Sequence, residues 1–118
     1  MLSPGPATKI YLAGEATDMR KSFNGLYALV VGLLEADPLS GHLFIFCNRR
    51  RDRIKILCFD GSGLWVCAKR LEKGTFYWPE ASGASVELTG AQLNLLLGGI
   101  DLTSTRDRPW LRKKTQDR

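Results

Sequence analysis

A run of arginines is the feature of this sequence whose residue types and spacing could do chemistry. The run reads NRRRDR at positions 48–53, between apolar stretches at 43–47 and 53–59. An arginine guanidinium keeps its charge and donates paired hydrogen bonds to carboxylates and phosphates. A third apolar stretch at 64–69 follows a Gly-rich turn at 60–63, and apolar runs joined by short turns predict a β-meander. The sequence therefore predicts a hairpin whose tip could bind an anion.

A second basic pair, Arg20 and Lys21, lies at the predicted start of the first helix. Asp18 is the first candidate for the N-cap of this helix, and Ser22 is the second. Free N–H groups at a helix N-terminus attract anions, and basic side chains beside them would add to that attraction. Asp18 or Glu15 could instead neutralise the pair, and the sequence leaves both alternatives open.

No set of residues forms a recognisable catalytic centre. The sequence has no phosphate-binding loop, no nucleophile elbow and no Cys–His pairing with a third, orienting group. Carboxylates that hold Mg²⁺ for catalysis must converge on the ion, and here they are spread along the chain. The candidates are Asp18, Asp52, Asp60 and Asp101. We therefore expect a protein that is not an enzyme and needs no cofactor.

The cysteines do not have the pattern of metal ligands. Cys47, Cys58 and Cys67 each lie inside an apolar stretch, no Cys-x-x-Cys pair exists, and His42 is the only histidine. Zinc sites usually show paired ligand spacing, whereas a buried cysteine behaves as a small hydrophobic residue. We expect all three cysteines to belong to the core.

Positive charge is concentrated in two segments of the chain, whose formal net charge is +5. Positions 49–53 hold four basic residues and one acidic residue, and positions 106–118 hold six and two. The rest of the chain has seven basic and nine acidic residues. Local positive charge is the electrostatic footprint of nucleic-acid binding. A solvated turn and a disordered tail would give the same count.

The length of 118 residues fits one domain with a single core. The sequence predicts a mobile leader at residues 1–7, a single domain at residues 8–102 and a basic flexible tail at residues 103–118. No apolar run approaches the roughly 20 residues that span a bilayer. The first residues also lack the basic and apolar regions of a signal peptide, so we expect a cytoplasmic protein.

Two helices are predicted besides the strands. Apolar residues from Met19 to Leu34 recur at spacings of three and four, and Asp37-Pro38 should end this first helix. Gly25 and Gly32 inside it suggest a close approach of its backbone to the sheet. Thr89 and Gln92 form a capping box that begins a second, short helix.

The predicted fold class is α+β, a small single domain with a mainly antiparallel sheet of four to five strands. Residues 8–13 form its first strand, the meander is its central part, and the two helices pack against it. The aromatic run Phe76-Tyr77-Trp78 reads as an edge strand closed by Pro79, or as a platform on which bases stack. Which residues of the meander share a face depends on the register, which the sequence leaves open.

Several segments match, in order and in spacing, the pattern of one known family. They are TDMRKSFNGL at 17–26, SGHLFIF at 40–46, RRRDRIK at 49–55, Trp65 with KRLEKG at 69–74, WP at 78–79 and LTGAQL at 88–93. Over residues 8–102 the chain resembles the TnpB-type accessory proteins of insertion-sequence-66-family transposons, the products of their second open reading frame. It departs from the family at Cys58, Cys67 and Ala68, where relatives tend to have aromatic residues.

The resemblance implies a bacterial protein of a mobile element that supports DNA transposition without catalysing it. The strand-transfer chemistry belongs to a separate, larger transposase, which is the implied protein partner, and DNA is the second implied partner. The residues predicted to contact nucleic acid combine the arginine run with the other basic positions. They are Arg20, Lys21, Arg49, Arg50, Arg51, Arg53, Lys55, Lys69, Arg70, Arg112, Lys113 and Lys114. The alternative is an adaptor that docks on the transposase and never touches DNA.

Overall fold

The structure, a computed structural model, describes residues 5–80 and 83–98. Five strands and two helices follow one another in these residues. They are β1 (Ile10–Ala13), α1 (Phe23–Gly32), β2 (Leu43–Cys47), β3 (Arg53–Phe59), β4 (Leu64–Arg70), β5 (Ser85–Leu88) and α2 (Gly90–Leu97). No helix within the described residues is long and apolar enough to cross a membrane.

The strands form one sheet in the order β4-β3-β2-β1-β5. The β1–β2 pair is parallel and the other three pairs are antiparallel, so the predicted α+β fold with a mainly antiparallel sheet is confirmed. All five residues of β2 are buried, as expected for a strand that is apolar at every position. The meander β2-β3-β4 is present but not central, because β4 forms one edge of the sheet.

The two helices cover opposite faces of this sheet, and the register of the meander decides which residues meet each helix. Leu57 lies opposite Val66, and Ile56 lies opposite Cys67. The first pair packs in the cluster under α1 and the second in the cluster under α2. Arg53 and Lys55 share the α1 face with Leu57, because alternate residues of a strand lie on the same face.

Helix α1 is shorter at both ends than the sequence predicts. Ser22, the second candidate, is its N-cap, and the helix ends at Gly32 instead of reaching Asp37. A residue in the left-handed region, Glu35 with φ 53°, turns the chain away after the helix. Arg20 and Lys21 therefore precede the helix and are not in its first turn, so that prediction was wrong.

The glycines of α1 do not mark contact with the sheet. A Cβ built on Gly25 would lie 2.9 Å from Cβ of Lys21, and one built on Gly32 would meet nothing within 4 Å. The close approach at Gly25 is therefore to a side chain of the preceding turn, and the predicted approach to the sheet was wrong.

Helix α2 begins as its sequence predicts. The Thr89 hydroxyl accepts a hydrogen bond from the Gln92 amide at 3.1 Å, and the Gln92 side chain accepts one from the Thr89 amide at 2.9 Å. Leu93 and Leu96 are buried against the sheet. This reciprocal capping satisfies two N–H groups that the first turn of a helix otherwise leaves unpaired, so the predicted capping box is confirmed.

The aromatic run is neither a strand nor an open platform for bases. Residues 75–80 have no regular secondary structure. Phe76 and Trp78 are buried in the cluster under α2. The Trp78 indole N–H donates a 2.7 Å hydrogen bond to the carbonyl oxygen of Ala13. Stacking of bases on these two rings is excluded by their burial, and the predicted edge strand was wrong.

We expect Trp78→Phe to lower the free energy of unfolding by about 1–3 kcal/mol, because a buried hydrogen-bonded carbonyl would lose its donor. The matched control is Trp65→Phe, since the Trp65 indole N–H also donates a hydrogen bond but its side chain is 46% exposed. Urea unfolding followed by circular dichroism measures both. Equal losses in the two variants would contradict a structural role for the Trp78 bond.

Candidate nucleic-acid interface

The arginine run forms a turn that is closed by the side chain of Asn48. Its Oδ1 accepts hydrogen bonds from the amides of Asp52 and Arg53 at 3.1 and 3.0 Å, and its Nδ2 donates one to Asp52 at 2.7 Å. Asparagine bonds to nearby backbone in this way in many turns. Four basic side chains therefore project from a turn whose backbone is held in one conformation.

The position of Arg51 differs from that of its neighbours. Its backbone is in the left-handed region with φ 64°, which is strained for a residue with a Cβ. The Arg51 carbonyl accepts a 2.7 Å hydrogen bond from the Phe76 amide, and its guanidinium donates one at 3.3 Å to the carbonyl of Trp78. Arg51 thus ties the turn to the aromatic segment.

The segment before α1 is held beside this turn. The amide of buried Thr17 donates a 2.8 Å hydrogen bond to the carbonyl of Cys47, at the end of β2. The Lys55 ammonium donates one at 2.8 Å to the carbonyl of Lys21. These two bonds bring Arg20 next to the turn, although the sequence separates the two.

Two adjoining clefts result, with volumes of about 470 and 510 Å³. Met19 and Arg53 line both of them, so the clefts share a wall. We call their basic lining the basic surface. It consists of Arg20, Arg49, Arg50, Arg53, Lys55, Lys69 and Arg70.

Two acids also line the clefts, and each is paired with an arginine of the basic surface. Asp18 lies 2.7 Å from Arg20, and Glu72 lies 3.1 Å from Arg70. The hydrogen bonds from Arg20 lower the pKa of Asp18 to about 2, so this carboxylate is ionised at neutral pH. Both pairs are exposed, and exposed ion pairs hold their partners weakly. A phosphate could therefore compete for either arginine.

The other three arginines of the surface lack such partners. The side chains of Arg49, Arg50 and Arg53 make no hydrogen bond or ion pair with any described residue. The charges of Arg50 and Arg53 act on Asp52, whose pKa is lowered chiefly by the hydrogen bond from Asn48 and further by these two charges. These guanidiniums keep their donors available for an anion.

The twelve predicted contact residues are thus divided by the structure. Seven belong to the basic surface, although the Lys69 ammonium also donates a 2.5 Å hydrogen bond to the carbonyl of Leu97 in α2. Lys21 is exposed but lines neither cleft, and Arg51 is bound to Trp78. The last three, Arg112, Lys113 and Lys114, lie outside the described residues.

Sequence reasoning missed two residues of this region. Asn48 closes the turn and Glu72 lines one cleft. The asparagine had a usable signal, because Asn at the first position of a turn often bonds to the backbone that follows it. For Glu72 the sequence held no such signal, since nothing in the neighbouring residues indicates that its side chain lines a cleft with the arginines.

Cys47 is a core residue, as predicted, whereas Cys58 and Cys67 are only partly buried. Cys47 is buried, and Cys58 and Cys67 pack against the same cluster under α2. Burial raises the pKa of the Cys47 thiol to about 11, and burial also raises that of Cys58, so these two thiols are protonated at neutral pH. Within residues 5–80 and 83–98, no three His, Cys, Asp or Glu side chains are grouped to hold a metal ion.

These features define a small α+β protein with an arginine-rich surface at one end of its sheet. The model of the family described as "IS66 Orf2 like protein" matches residues 8–107, and the chain belongs to this family. Membership supports an accessory role in the transposition of an insertion sequence.

The curated relatives include two proteins of Sinorhizobium fredii, y4hO and y4jC, both described as uncharacterized. The first is 40% identical over 101 residues, which cover 86% of this chain and 88% of the relative. The second is 35% identical over 109 residues, with coverage of 92% and 93%. No solved structure gives a significant match.

We expect Asn48→Ala to lower the free energy of unfolding by roughly 2 kcal/mol, because two backbone N–H groups would lose their acceptor at about 1 kcal/mol each. Asn24→Ala is the control, since Asn24 is exposed in α1 and should change stability by less than about 0.5 kcal/mol. Urea unfolding measures both variants. A loss confined to the control, or none in either, would contradict the role given to Asn48.

Proposed function

We propose that this protein supports transposition by binding DNA, alone or in complex with the transposase, through its basic surface. The observation that carries the proposal is the pair of adjoining clefts lined by seven basic side chains. In this proposal Arg49, Arg50 and Arg53 contact phosphates directly, because their guanidiniums are not engaged by described residues. Arg20 and Arg70 join them when phosphates displace their exposed carboxylate partners.

The rigidity of the turn supports this proposal. A loop that is ordered only on binding loses conformational freedom at that moment, which weakens affinity. Here Asn48 and Arg51 hold the backbone of the turn through side-chain hydrogen bonds. The backbone from which these arginines project is therefore held in place, and a two-stranded ribbon such as β3-turn-β2 has a size that the major groove admits.

A salt titration of duplex DNA binding tests the proposal. Log affinity should fall linearly with log salt, with a slope of about −0.9 for each phosphate neutralised. We expect Arg50→Ser to weaken binding and to flatten the slope by about 0.9, since one phosphate contact is lost. The probes are DNA from the ends of the element and an unrelated duplex, measured by fluorescence anisotropy.

Lys9→Ser is the matched control for this titration. It removes the same charge, but Lys9 precedes β1 beside His42 and Leu43, at the opposite end of β2 from the arginine turn. Its slope should equal that of the unmodified protein. A protein that binds neither duplex at low salt, or equal effects of both variants, would contradict contact through the basic surface.

An adaptor that binds the transposase alone is the second candidate, and exposed apolar residues of α1 favour it. Phe23 and Val31 are 47% and 51% exposed. With Tyr27 they recur every four residues, so they follow one side of the helix. A surface of this kind fits an apolar patch on a protein partner.

A pull-down with the transposase in the presence of nuclease tests this second candidate. If the protein is an adaptor, Phe23→Ser combined with Val31→Ser should abolish retention of the transposase, because the apolar contact is lost. Replacement of Arg49, Arg50 and Arg51 by serine is the control and should leave retention unchanged. Retention that survives the first variant, or that nuclease removes, would count against a protein-only contact at α1.

A further inference from the structure

The outer edge of β4 has a defined pattern of backbone groups that no described residue pairs. The Asp60 amide donates to the carbonyl of Gly63 at 3.0 Å, and the Leu71 amide donates to that of Asp52 at 2.8 Å. These bonds lie at the two ends of the β3–β4 ladder, whose register runs from Arg53 opposite Arg70 to Phe59 opposite Leu64. Hydrogen-bonded pairs alternate with unbonded ones in such a ladder.

The alternation fixes which residues of β4 bond to β3. The hydrogen bonds at both ends of the ladder are consistent with one pattern, in which the backbones of Trp65, Cys67 and Lys69 form hydrogen bonds with β3. The remaining residues direct their N–H and C=O groups away from the sheet. They are Leu64, Val66, Ala68 and Arg70. The edge is therefore a seven-residue template for a further strand.

We propose that a second copy of this chain binds there, with its β4 antiparallel to the first, so that two sheets join into one. Cys67 is the central residue of β4, so antiparallel pairing over the full strand places the twofold axis beside it. The opposite edge, β5, offers only four residues. A longer edge gives more backbone hydrogen bonds to an added strand.

The side chains of β4 suit this register. Trp65, whose side chain is 46% exposed, would lie opposite Lys69 of the partner subunit, which permits a cation–π contact. Leu64 would face the partner's Arg70, and Val66 would face the partner's Ala68. No two like charges stand opposite each other, whereas a shift that centred the pairing on Lys69 would oppose two lysines. The strand is thus self-complementary in one full-length register.

The dimer would place Arg53, Lys55 and Arg70 of both copies on the same side of the joined sheet, because the twofold axis is perpendicular to it. Arg70 and the partner's Arg70 would be six residues apart along the strands, which is roughly 20 Å. That exceeds the Debye length of about 8 Å at physiological salt, so their repulsion is screened. The association does not depend on DNA, and its test is independent of the proposed function.

Sedimentation of the full-length protein across a dilution series, without DNA, tests the proposal. The unmodified chain should approach twice its mass of 13.1 kDa at high concentration. Ala68→Pro should stay monomeric, because proline removes an outward N–H group and is tolerated on an edge strand. Ala68→Ser is the control that keeps this N–H group, and thermal unfolding checks that each variant is folded.

A second variant guards against misfolding of the proline variant. Trp65→Lys would place a lysine opposite the partner's Lys69 on both sides of the axis, and should also give a monomer, whereas Trp65→Phe should still dimerise.

Oxidation with copper-phenanthroline tests the position of the twofold axis. It should cross-link the two copies in Cys58→Ser but not in Cys67→Ser, since two cysteines that lie directly opposite each other at a pair without backbone hydrogen bonds are within disulfide reach. A monomer at every concentration, a dimer unaffected by Ala68→Pro and Trp65→Lys, or a cross-link that persists in Cys67→Ser overturns the proposal.

Discussion

The hydrogen bonds of the Asn48 side chain are the constraint on which the candidate interface depends. One amide group satisfies two backbone N–H groups and the Asp52 carboxylate within a turn that carries four arginines. Without it, the amides of Asp52 and Arg53 would lose their acceptor. The turn is also where distant segments meet, since its carbonyls accept the amides of Leu71 and Phe76. The same turn therefore anchors the chain that crosses the α2 face and presents positive charge at the end of the sheet.

The parts of the fold that follow from local pattern could be predicted from the sequence. The strands 43–47 and 53–59 have the predicted bounds, because continuous apolar residues between turn signals leave little freedom. The capping box of α2 was equally readable, since Thr89 and Gln92 act on each other across three residues. The aromatic run was wrongly predicted as an edge strand. Phe76 and Trp78 pack in a core that forms only when distant segments come together, and the local sequence does not show this.

The sequence predicted which types of residue form the candidate site, but it did not predict which partner each of them binds. Nothing local distinguishes Arg51 from Arg50, yet the left-handed backbone at Arg51 directs its guanidinium to the carbonyl of Trp78. Likewise, Asp18 reads as a helix cap, but it binds the guanidinium and the amide of Arg20 instead. Local pairing at Arg20, one of the two alternatives, is what the structure shows. The partner of Arg51 is one that the pattern of the sequence does not specify, whereas Asp18 is one of the two acids that the sequence offers to Arg20.

The β3–β4 register connects the core of this protein to its surface. Because side chains alternate between faces, Arg53, Lys55 and Arg70 lie on the α1 side, whereas Lys69 lies on the α2 side and binds the carbonyl of Leu97. A slip of one residue would exchange these roles and would bury the wrong side chains. The Asp60 carboxylate opposes such a slip, since it accepts hydrogen bonds from the amides of the turn and from the Trp65 indole. These bonds lower the pKa of Asp60 well below its usual range, with the Ser62 amide as the largest cause. An acid at the opposite end of the hairpin from the arginines thus helps to decide which basic residues lie on the α1 side of the sheet.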